Sequence, residues 1–175
     1  MKSIYNYLNE QMSGNVQVKT KEELQKLIIK RIHEEGPECD LNDIDVSHIT
    51  DMSYLFNARE DDIFKKFNCD ISKWNVSKVK DMNRMFLDCE NFNQDLSNWD
   101  VANVTDMNAM FAGCKKFNGD ISNWDVACVQ DMGYMFWRCR SFAQNIDNWD
   151  VRNVENMRYA FEECRTQPNW YKKEK

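Results

Sequence analysis

Histidine, glycine and proline are scarce in this sequence, which has two, five and two of them among 175 residues. The two histidines, His33 and His48, do not follow any repeated motif, so little is available for a general base or a catalytic triad. The few glycines form no Gly-rich loop of the kind that cradles phosphates. We therefore expect a protein that is not an enzyme and that needs no cofactor.

An excess of basic residues and a long apolar run are also missing. Lys and Arg number 23 against 29 Asp and Glu, for a net charge of -6, which argues against direct binding to nucleic acid or to an anionic membrane. The N-terminal segment shows no apolar run that would indicate a secretory signal or a membrane span. We expect a cytoplasmic monomer, secreted or surface-displayed only if a leader was removed.

The seven cysteines include no CxxC pair. Four of them recur once per repeat and are Cys89, Cys114, Cys139 and Cys164. This regular spacing predicts packing rather than a disulfide framework or a zinc site, and no metal site is expected. A soft-metal or redox role of these thiols is the less favoured alternative.

A 25-residue repeat dominates the chain and is best seen in FNQDLSNWDVANVTDMNAMFAGC at 92–114. A degenerate repeat spans Asp40 to Asn57, and the four complete repeats begin at Phe67, Phe92, Phe117 and Phe142. A unit this small cannot bury its apolar face alone, so neighbouring repeats must stack to form a core. The residues between Phe56 and Phe67 are an insertion that should bulge as a surface loop.

Local signals within a repeat predict a strand, a turn and a short helix. Residues 95–99 mix polar and apolar positions as a half-buried strand does. Residues 100–104 contain turn formers, and the apolar residues of 105–114 recur at spacings of three and four, as on a helix. The predicted fold is an α/β repeat solenoid of short strands plus short helices with an N-terminal helical cap; its leucine-rich-repeat-like character and the parallel arrangement of its strands are implied by the family resemblance given below.

The segments that flank the repeats should close the two ends of the stack. Residues 1–38 form the N-terminal helical cap in this interpretation, with one helix within Met1–Gly14 and another from about Lys21 to Glu35. A capping box at Thr20 and Glu23 marks the start of the second helix. The repeat solenoid then occupies residues 39–165, and residues 166–175 form a C-terminal lid and tail.

These repeats resemble the BspA-like leucine-rich-repeat family, in its subgroup with the pattern FNxDISxWDVSxVxDMxxMFxxC. The segment FNCDISKWNVSKVKDM at 67–82 fits almost every position, and the resemblance covers Asp40 to Cys164. It implies a curved solenoid with a parallel sheet on its inner face. Many relatives resemble secreted or surface-displayed proteins with proposed roles in adhesion and host-protein binding, although a shared fold does not fix a function.

Stacked repeats would align equivalent residues in columns, about 4.8 Å apart on hydrogen-bonded strands. Three such columns are acidic: Asp70, Asp95, Asp120 and Asn145; Asp45, Asn75, Asp100, Asp125 and Asp150; and Asp51, Asp81, Asp106, Asp131 and Asn156. We interpret them as turn and cap residues whose carboxylates accept backbone N–H bonds. Calcium binding by adjacent carboxylates is the alternative.

Tryptophan and methionine also recur in columns. The tryptophan column consists of Trp74, Trp99, Trp124 and Trp149. It could form an exposed strip for stacking on sugars or bases, and the methionines could line a soft binding groove. Fixed distances to Val, Met and Phe favour a core role for both.

The predicted partner-binding residues are those that differ between repeats, because a repeat protein keeps its core constant and varies its surface. They are Lys73, Asn98, Asn123, Asn148, Gln94, Gln144, Lys78, Asn103 and Asn153.

We expect a noncatalytic protein-binding scaffold that engages a protein partner through a preformed surface. The alternative is an acidic decoy or inhibitor that occupies the basic channel of a nucleic-acid-binding protein. A weaker alternative is surface adhesion or carbohydrate binding, which exposed tryptophans would favour and buried tryptophans would exclude.

Overall fold

The computed structural model of the protein describes residues 16–172, in which one helix precedes a series of turn-rich repeats. Strand β1 (Val16–Gln17) is followed by helix α1 (Lys21–Glu35), strand β2 (Ile44–Asp45) and a 3-10 helix (Asp62–Lys66). β1 and β2 pair in parallel. The remainder of each repeat consists of turns and single-residue bridges.

Helix α1 has the predicted bounds and the predicted N-terminal cap. Thr20 Oγ1 accepts the N–H of Glu23 at 3.2 Å. Gly36, with φ of 96°, ends the helix and donates its N–H to the carbonyl of Ile32 at 2.9 Å. The buried face joins the core of the repeats and consists of Leu24, Ile28 and Ile32. The other predicted helix, within Met1–Gly14, lies outside the described residues.

Backbone hydrogen bonds join each repeat to the next in a constant register. Single-residue parallel bridges connect Asp51, Asp81, Asp106, Asp131 and Asn156 in that order. After each bridge, every second N–H donates to the following repeat. In one repeat these donors are Met107, Ala109, Phe111 and Gly113, at N···O distances of 2.7–2.9 Å. Equivalent side chains are therefore held in columns.

The strand predicted at residues 95–99 is a turn in the structure. The Asp95 carboxylate accepts the N–H of Ser97 at 2.8 Å, and the N–H of Trp99 donates to the carbonyl of Leu96 at 3.0 Å. These local bonds use backbone groups that a strand would offer to its neighbours. The mixed polar and apolar pattern reflects burial of Leu96 and Trp99 in a turn.

The short helix predicted at residues 105–114 is a run of consecutive turns. The N–H groups of Met110, Ala112 and Cys114 donate three residues back at 2.9–3.2 Å, and they alternate with the N–H groups that donate to the next repeat. Left-handed backbone at Ala109 and Gly113, with φ of 52° and 77°, interrupts any helix. Spacings of three and four fit successive β-turns as well as helical turns, so the prediction was wrong.

Stacked phenylalanine rings fill the centre of the repeats. All ten phenylalanines are buried. Phe86 lies 4.1 Å from Phe92 and 5.4 Å from Phe111 between ring centroids, with interplanar angles of 14° and 1°. Such offset-stacked pairs contribute about 0.5–1.5 kcal/mol each beyond the burial of their area. The core therefore fixes the position of each repeat on its neighbour.

The insertion between Phe56 and Phe67 is a surface loop only in part. Residues 59–62 are exposed, as predicted. Phe64 in the 3-10 helix is buried and meets the ring of Phe56 edge-on, at 5.8 Å and 86°. One aromatic side chain thus anchors the insertion to the core, which the surface-loop prediction did not anticipate.

Candidate interaction surfaces

The residues of the three acidic columns form turns. In each repeat the side-chain oxygen accepts the N–H of the residue two positions further on, for example Asp106 from Asn108 at 2.8 Å and Asp125 from Ala127 at 3.0 Å. This confirms the turn interpretation. Hydrogen bonds of this kind, led by those from Ser122, lower the pKa of Asp120.

Calcium binding finds little support in this arrangement. The carboxylate oxygens of the columns accept backbone N–H groups within their own turns. Across residues 16–172, no group of three or more His, Cys, Asp or Glu side chains is placed so as to hold a metal ion.

The third acidic column brings carboxylates close together along the bridges. Asp81 lies between Asp51 and Asp106. Burial raises the pKa of Asp81, and the negative charges of both neighbours raise it further, against a hydrogen bond from the N–H of Asn83. Negative charge at Asp81 therefore carries an electrostatic cost in the folded protein.

The tryptophan column is buried, with relative exposures of 3–4%. Each indole Nε1 donates to a carbonyl of the preceding repeat at 2.9–3.3 Å, as Trp99 does to Ile71. Trp170 extends the tryptophan column beyond Trp149. Its ring stacks on that of Trp149, with the centroids 6.4 Å apart, and its Nε1 donates to the carbonyl of Ile146 at 2.9 Å. These tryptophans offer no strip for sugars, so the carbohydrate alternative based on them is excluded.

The repeat cysteines pack in the core, as their spacing predicts. Their Sγ atoms donate to carbonyls of the preceding repeat at 2.7–3.0 Å. Burial raises the pKa of Cys89, Cys114 and Cys139 well above the ordinary value and that of Cys164 to about 12. Protonated, buried thiols are poor nucleophiles and poor metal ligands.

Most of the predicted partner-binding side chains take part in bonds between repeats. Six amides donate to carbonyls of the preceding repeat at 2.7–3.1 Å, and they belong to Gln94, Asn103, Asn123, Gln144, Asn148 and Asn153. The other three, Lys73, Lys78 and Asn98, are exposed. The amides therefore have a structural role, whereas a role of all nine in binding stays a prediction.

A ridge of large side chains lies at a position that the sequence pattern leaves unspecified. We define the tyrosine–arginine ridge as Tyr54, Arg84, Tyr134 and Tyr159. Each directly follows an Asp-Met-x unit or, for Tyr159, an Asn-Met-x unit. Each of these residues has left-handed backbone, with φ of 52–60°. Tyr134 and Tyr159 are 37% and 39% exposed, more than most large apolar side chains in the described chain. Comparing the variable positions of the Met-Phe segment between repeats could have identified the ridge.

Arginine and aromatic groups contact each other along this side of the stack. The guanidinium of Arg84 lies 5.4 Å from the ring centroid of Tyr54, and its Nη1 donates to the Tyr54 hydroxyl. The ring of Tyr134 lies 5.2 Å from that of Tyr159. Beside the ridge, the guanidinium of Arg138 covers the ring of Trp137 at 4.0 Å. These cation–π and ring contacts hold half-buried and exposed side chains in defined positions.

The ridge is interrupted by a notch in the repeat that begins at Phe92. We define the notch as Ala109, Ala112 and Gly113, whose equivalents in the preceding repeat are Arg84, Leu87 and Asp88 and in the following repeat Tyr134, Trp137 and Arg138. A cavity of about 250 Å³ opens here, lined by both alanines and by side chains from the two neighbouring repeats.

Two segments, residues 28–126 and 61–172, match the family described as "Mycoplasma protein of unknown function, DUF285". The chain belongs to this family. DUF285 is a BspA-related repeat family, and the overlap of the two matches is what internal repetition produces when one pattern fits in more than one register.

Membership of the DUF285 family assigns no function to the chain. Neither a curated protein nor a solved structure matches the chain. Within residues 16–172, no helix has the length and apolar character needed to span a bilayer.

Proposed function

We propose that this protein is a noncatalytic protein-binding scaffold, and that its repeats form a leucine-rich-repeat-like solenoid of the BspA-like FNxDISxWDVSxVxDMxxMFxxC subgroup. The observation that carries the binding proposal is the tyrosine–arginine ridge. Tyr, Trp and Arg are the residue types that most often supply the binding energy of protein interfaces. In this protein Tyr134 and Tyr159 are exposed, Tyr54 and Arg84 are half-buried, and these side chains contact one another in pairs along one side of the stack.

The ridge is supported by a rigid base, which favours recognition of a partner without prior rearrangement. Every second N–H beneath it is bonded to the next repeat, and the phenylalanine stack lies under the same turns. A preformed surface avoids much of the entropy cost of ordering an interface at binding. The exposed residues Lys73, Lys78 and Asn98 remain in the proposal as further contacts.

The acidic columns support a second candidate, the decoy of a nucleic-acid-binding protein. Asp95, Asp100, Asp120 and Asp125 are exposed and recur along the stack, and the net charge is -6. A basic channel would be attracted to such a surface, with an association rate that falls steeply as salt is added.

Site-specific photo-crosslinking in the native host separates the two candidates. A photoreactive amino acid would replace Tyr159 on the ridge in one variant and Asp125 on an acidic column in another, both in the full chain. The scaffold proposal predicts one stoichiometric protein adduct from Tyr159. An adduct from Asp125 alone, with a basic protein, would favour the decoy, and no adduct at either position would overturn both.

The purified partner then provides a quantitative test. Tyr159→Ala should weaken its binding by about 2 kcal/mol, which is roughly thirty-fold in Kd, if the ridge supplies central contacts. Asp125→Ala serves as the matched control on another column and should leave the affinity unchanged. The scaffold proposal fails if the two variants lose affinity equally.

A further inference from the structure

Three small residues coincide in one repeat and create the notch. At these positions the flanking repeats carry an arginine, a leucine and an aspartate on one side and a tyrosine, a tryptophan and an arginine on the other. Ala109, Ala112 and Gly113 are all buried at the base of the gap. The missing side chains leave a slot whose floor is apolar, formed by Leu87, Ala109 and Ala112.

The two walls of the slot are Arg84 and Tyr134 of the ridge. On the side that faces away from the slot, each wall packs against another ridge residue. Arg84 lies over Tyr54 on the upstream side, and Tyr134 lies against Tyr159 on the downstream side. The opposite side of each wall faces the gap above Ala109, where both residues line the cavity. A planar group in the gap could therefore contact a guanidinium on one side and a phenol ring on the other.

The width of the slot matches one aromatic ring. Equivalent residues of adjacent repeats lie about 4.8 Å apart where they are bridged, so the walls, two repeats apart, are separated by about 10 Å. Stacked rings have centroids about 4.5–7 Å apart, and the neighbouring pair Tyr134 and Tyr159 shows 5.2 Å. One ring above Ala109 would continue the ridge at its natural spacing.

The charge at the mouth of the slot favours a carboxylate beside that ring. Arg84 donates to the hydroxyl of Tyr54 rather than to a carboxylate. The other arginine at the mouth, Arg59, forms an ion pair with Asp88 at 2.5 Å. The slot therefore presents the positive charge of Arg84 on a protein whose net charge is -6.

We propose that the notch binds one aromatic side chain of a partner protein, carried on a segment with Asp or Glu next to it. The ring takes the place left empty at Ala109 between Arg84 and Tyr134, and the carboxylate pairs with Arg84. This inference rests on the proposed scaffold function and specifies where, and by which kind of residue, the partner is recognised.

Peptide titration of the full chain, followed by the methyl resonances of Ala109 and Ala112, tests the proposal. The probes are acetylated pentapeptides of sequence Gly-Asp-Trp-Asp-Gly, with Ala in place of Trp or Lys in place of both Asp as comparisons. We expect the Trp peptide to shift both methyl signals, the Ala peptide to bind at least about ten-fold more weakly, and the Lys peptide several-fold more weakly. Equal binding of the Trp and Ala peptides, or no shift with any of the three, would overturn the proposal.

Ala109→Tyr is the decisive variant because it fills the slot with a residue that the backbone accepts. Tyrosine already occupies the equivalent position three times, with φ of 54–60°. The variant should fold with unchanged circular dichroism and lose binding of the Trp peptide. Ala143→Tyr, which adds the same side chain at an exposed position outside the ridge and the slot, is the matched control and should retain it. Undiminished peptide binding by Ala109→Tyr would refute the site.

Two further outcomes separate this inference from its alternatives. If sedimentation shows a dimer that Ala109→Tyr dissociates, the occupant is a second molecule of this chain, and the proposal of a foreign partner is wrong. If none of the peptides binds, but Tyr159→Ala still weakens binding to the crosslinked partner, the proposed slot site is wrong and the scaffold function remains supported.

Discussion

A Cβ atom on Gly113 would stand 2.0 Å from Oδ1 of Asp88, the equivalent residue of the preceding repeat. Gly113 also has φ of 77°, a conformation that disfavours other residues. Rotating the carboxylate away would break its ion pair with Arg59. We therefore expect Gly113→Ala to lower the free energy of unfolding by about 2–4 kcal/mol, measured by urea denaturation.

Gly36→Ala is the matched control for backbone strain without a clash. Its φ of 96° is also left-handed, but a Cβ there would meet nothing within 4 Å. We expect a loss of about 1–2 kcal/mol from backbone strain alone. Equal losses in the two variants would show that the contact with Asp88 contributes nothing.

The features that were predicted correctly from the sequence depend only on residue type and on the spacing of the repeats. Helix α1 was predicted because Thr20, Glu23 and Gly36 mark its ends with side chains and backbone preferences specific to caps. The burial of Trp99 and the turn role of Asp106 followed from their constant neighbours in every repeat.

The wrong predictions of a strand at residues 95–99 and a helix at residues 105–114, and the failure to predict the ridge, have physical causes. Alternate N–H groups of residues 105–114 bond to another repeat, and periodicity along one chain cannot reveal a partner 24 residues away. The ridge was missed because its position carries Tyr, Arg or Ala in different repeats and so lies outside the constant pattern of the repeat. The cavity at Ala109 could not be predicted from the sequence, because only the structure shows that Arg84 and Tyr134 flank this residue in space.

Trp99→Phe should show how much the indole hydrogen bonds contribute to the stack. Trp99 is 3% exposed, and its Nε1 donates to the carbonyl of Ile71 at 3.1 Å. The change leaves a buried carbonyl without its donor and a smaller ring in the core, so we expect a loss of about 2–4 kcal/mol in chemical denaturation. Trp170→Phe is the control at the half-buried end of the column, where water can replace the donor and the loss should stay below about 1 kcal/mol. The reverse order would contradict this account.

Two substitutions of aspartate by asparagine should have opposite effects at neutral pH. The folded-state pKa of Asp81 is raised, so its charged form disfavours folding, and its contribution to stability decreases as pH rises from the ordinary aspartate pKa through the raised value. Asp81→Asn should therefore stabilise the protein at pH 7. The gain should be under about 1 kcal/mol, since the carboxylate is only partly shielded from water.

Asp120→Asn is the counterpart on another acidic column. The pKa of Asp120 is lowered by hydrogen bonds from Ser122, so its contribution is favourable above the ordinary aspartate pKa and is lost as pH falls through the lowered value. Removing that charge should destabilise the protein slightly at pH 7. Thermal unfolding of both variants between acidic and neutral pH measures the signs, and two shifts in the same direction would refute the assignment.

The thiols of Cys39 and Cys69 should form a disulfide under oxidising conditions, because their Sγ atoms lie 2.7 Å apart. Glutathione disulfide would accept two electrons and two protons from the pair and leave as two glutathione molecules. Burial raises the pKa of both thiols, so the reaction should be slow. Closing a loop of about 30 residues should stabilise the protein by roughly 3–4 kcal/mol. Peptide mapping by mass spectrometry detects the bond, and persistent free thiols at both positions after prolonged incubation would contradict it.

Cys128 interrupts a series of amides that link the repeats, and restoring the amide should stabilise the stack. Asn103 donates to the carbonyl of Ser77 at 2.8 Å, and Asn153 donates to that of Ala127 at 2.7 Å, each 26 residues back. An asparagine at 128 would reach the carbonyl of Ala102 by the same geometry. We expect Cys128→Asn to raise the free energy of unfolding by about 0.5–1.5 kcal/mol.

Cys128→Ser removes the same exposed thiol, but its side chain is too short to span two repeats, so it should leave stability nearly unchanged. If serine stabilised the protein as much as asparagine, loss of the thiol would be the cause. The comparison also bears on the predicted binding residues. A gain specific to asparagine means that the amides of Asn103 and Asn153 stabilise the stack, which is a role distinct from the recognition of a partner.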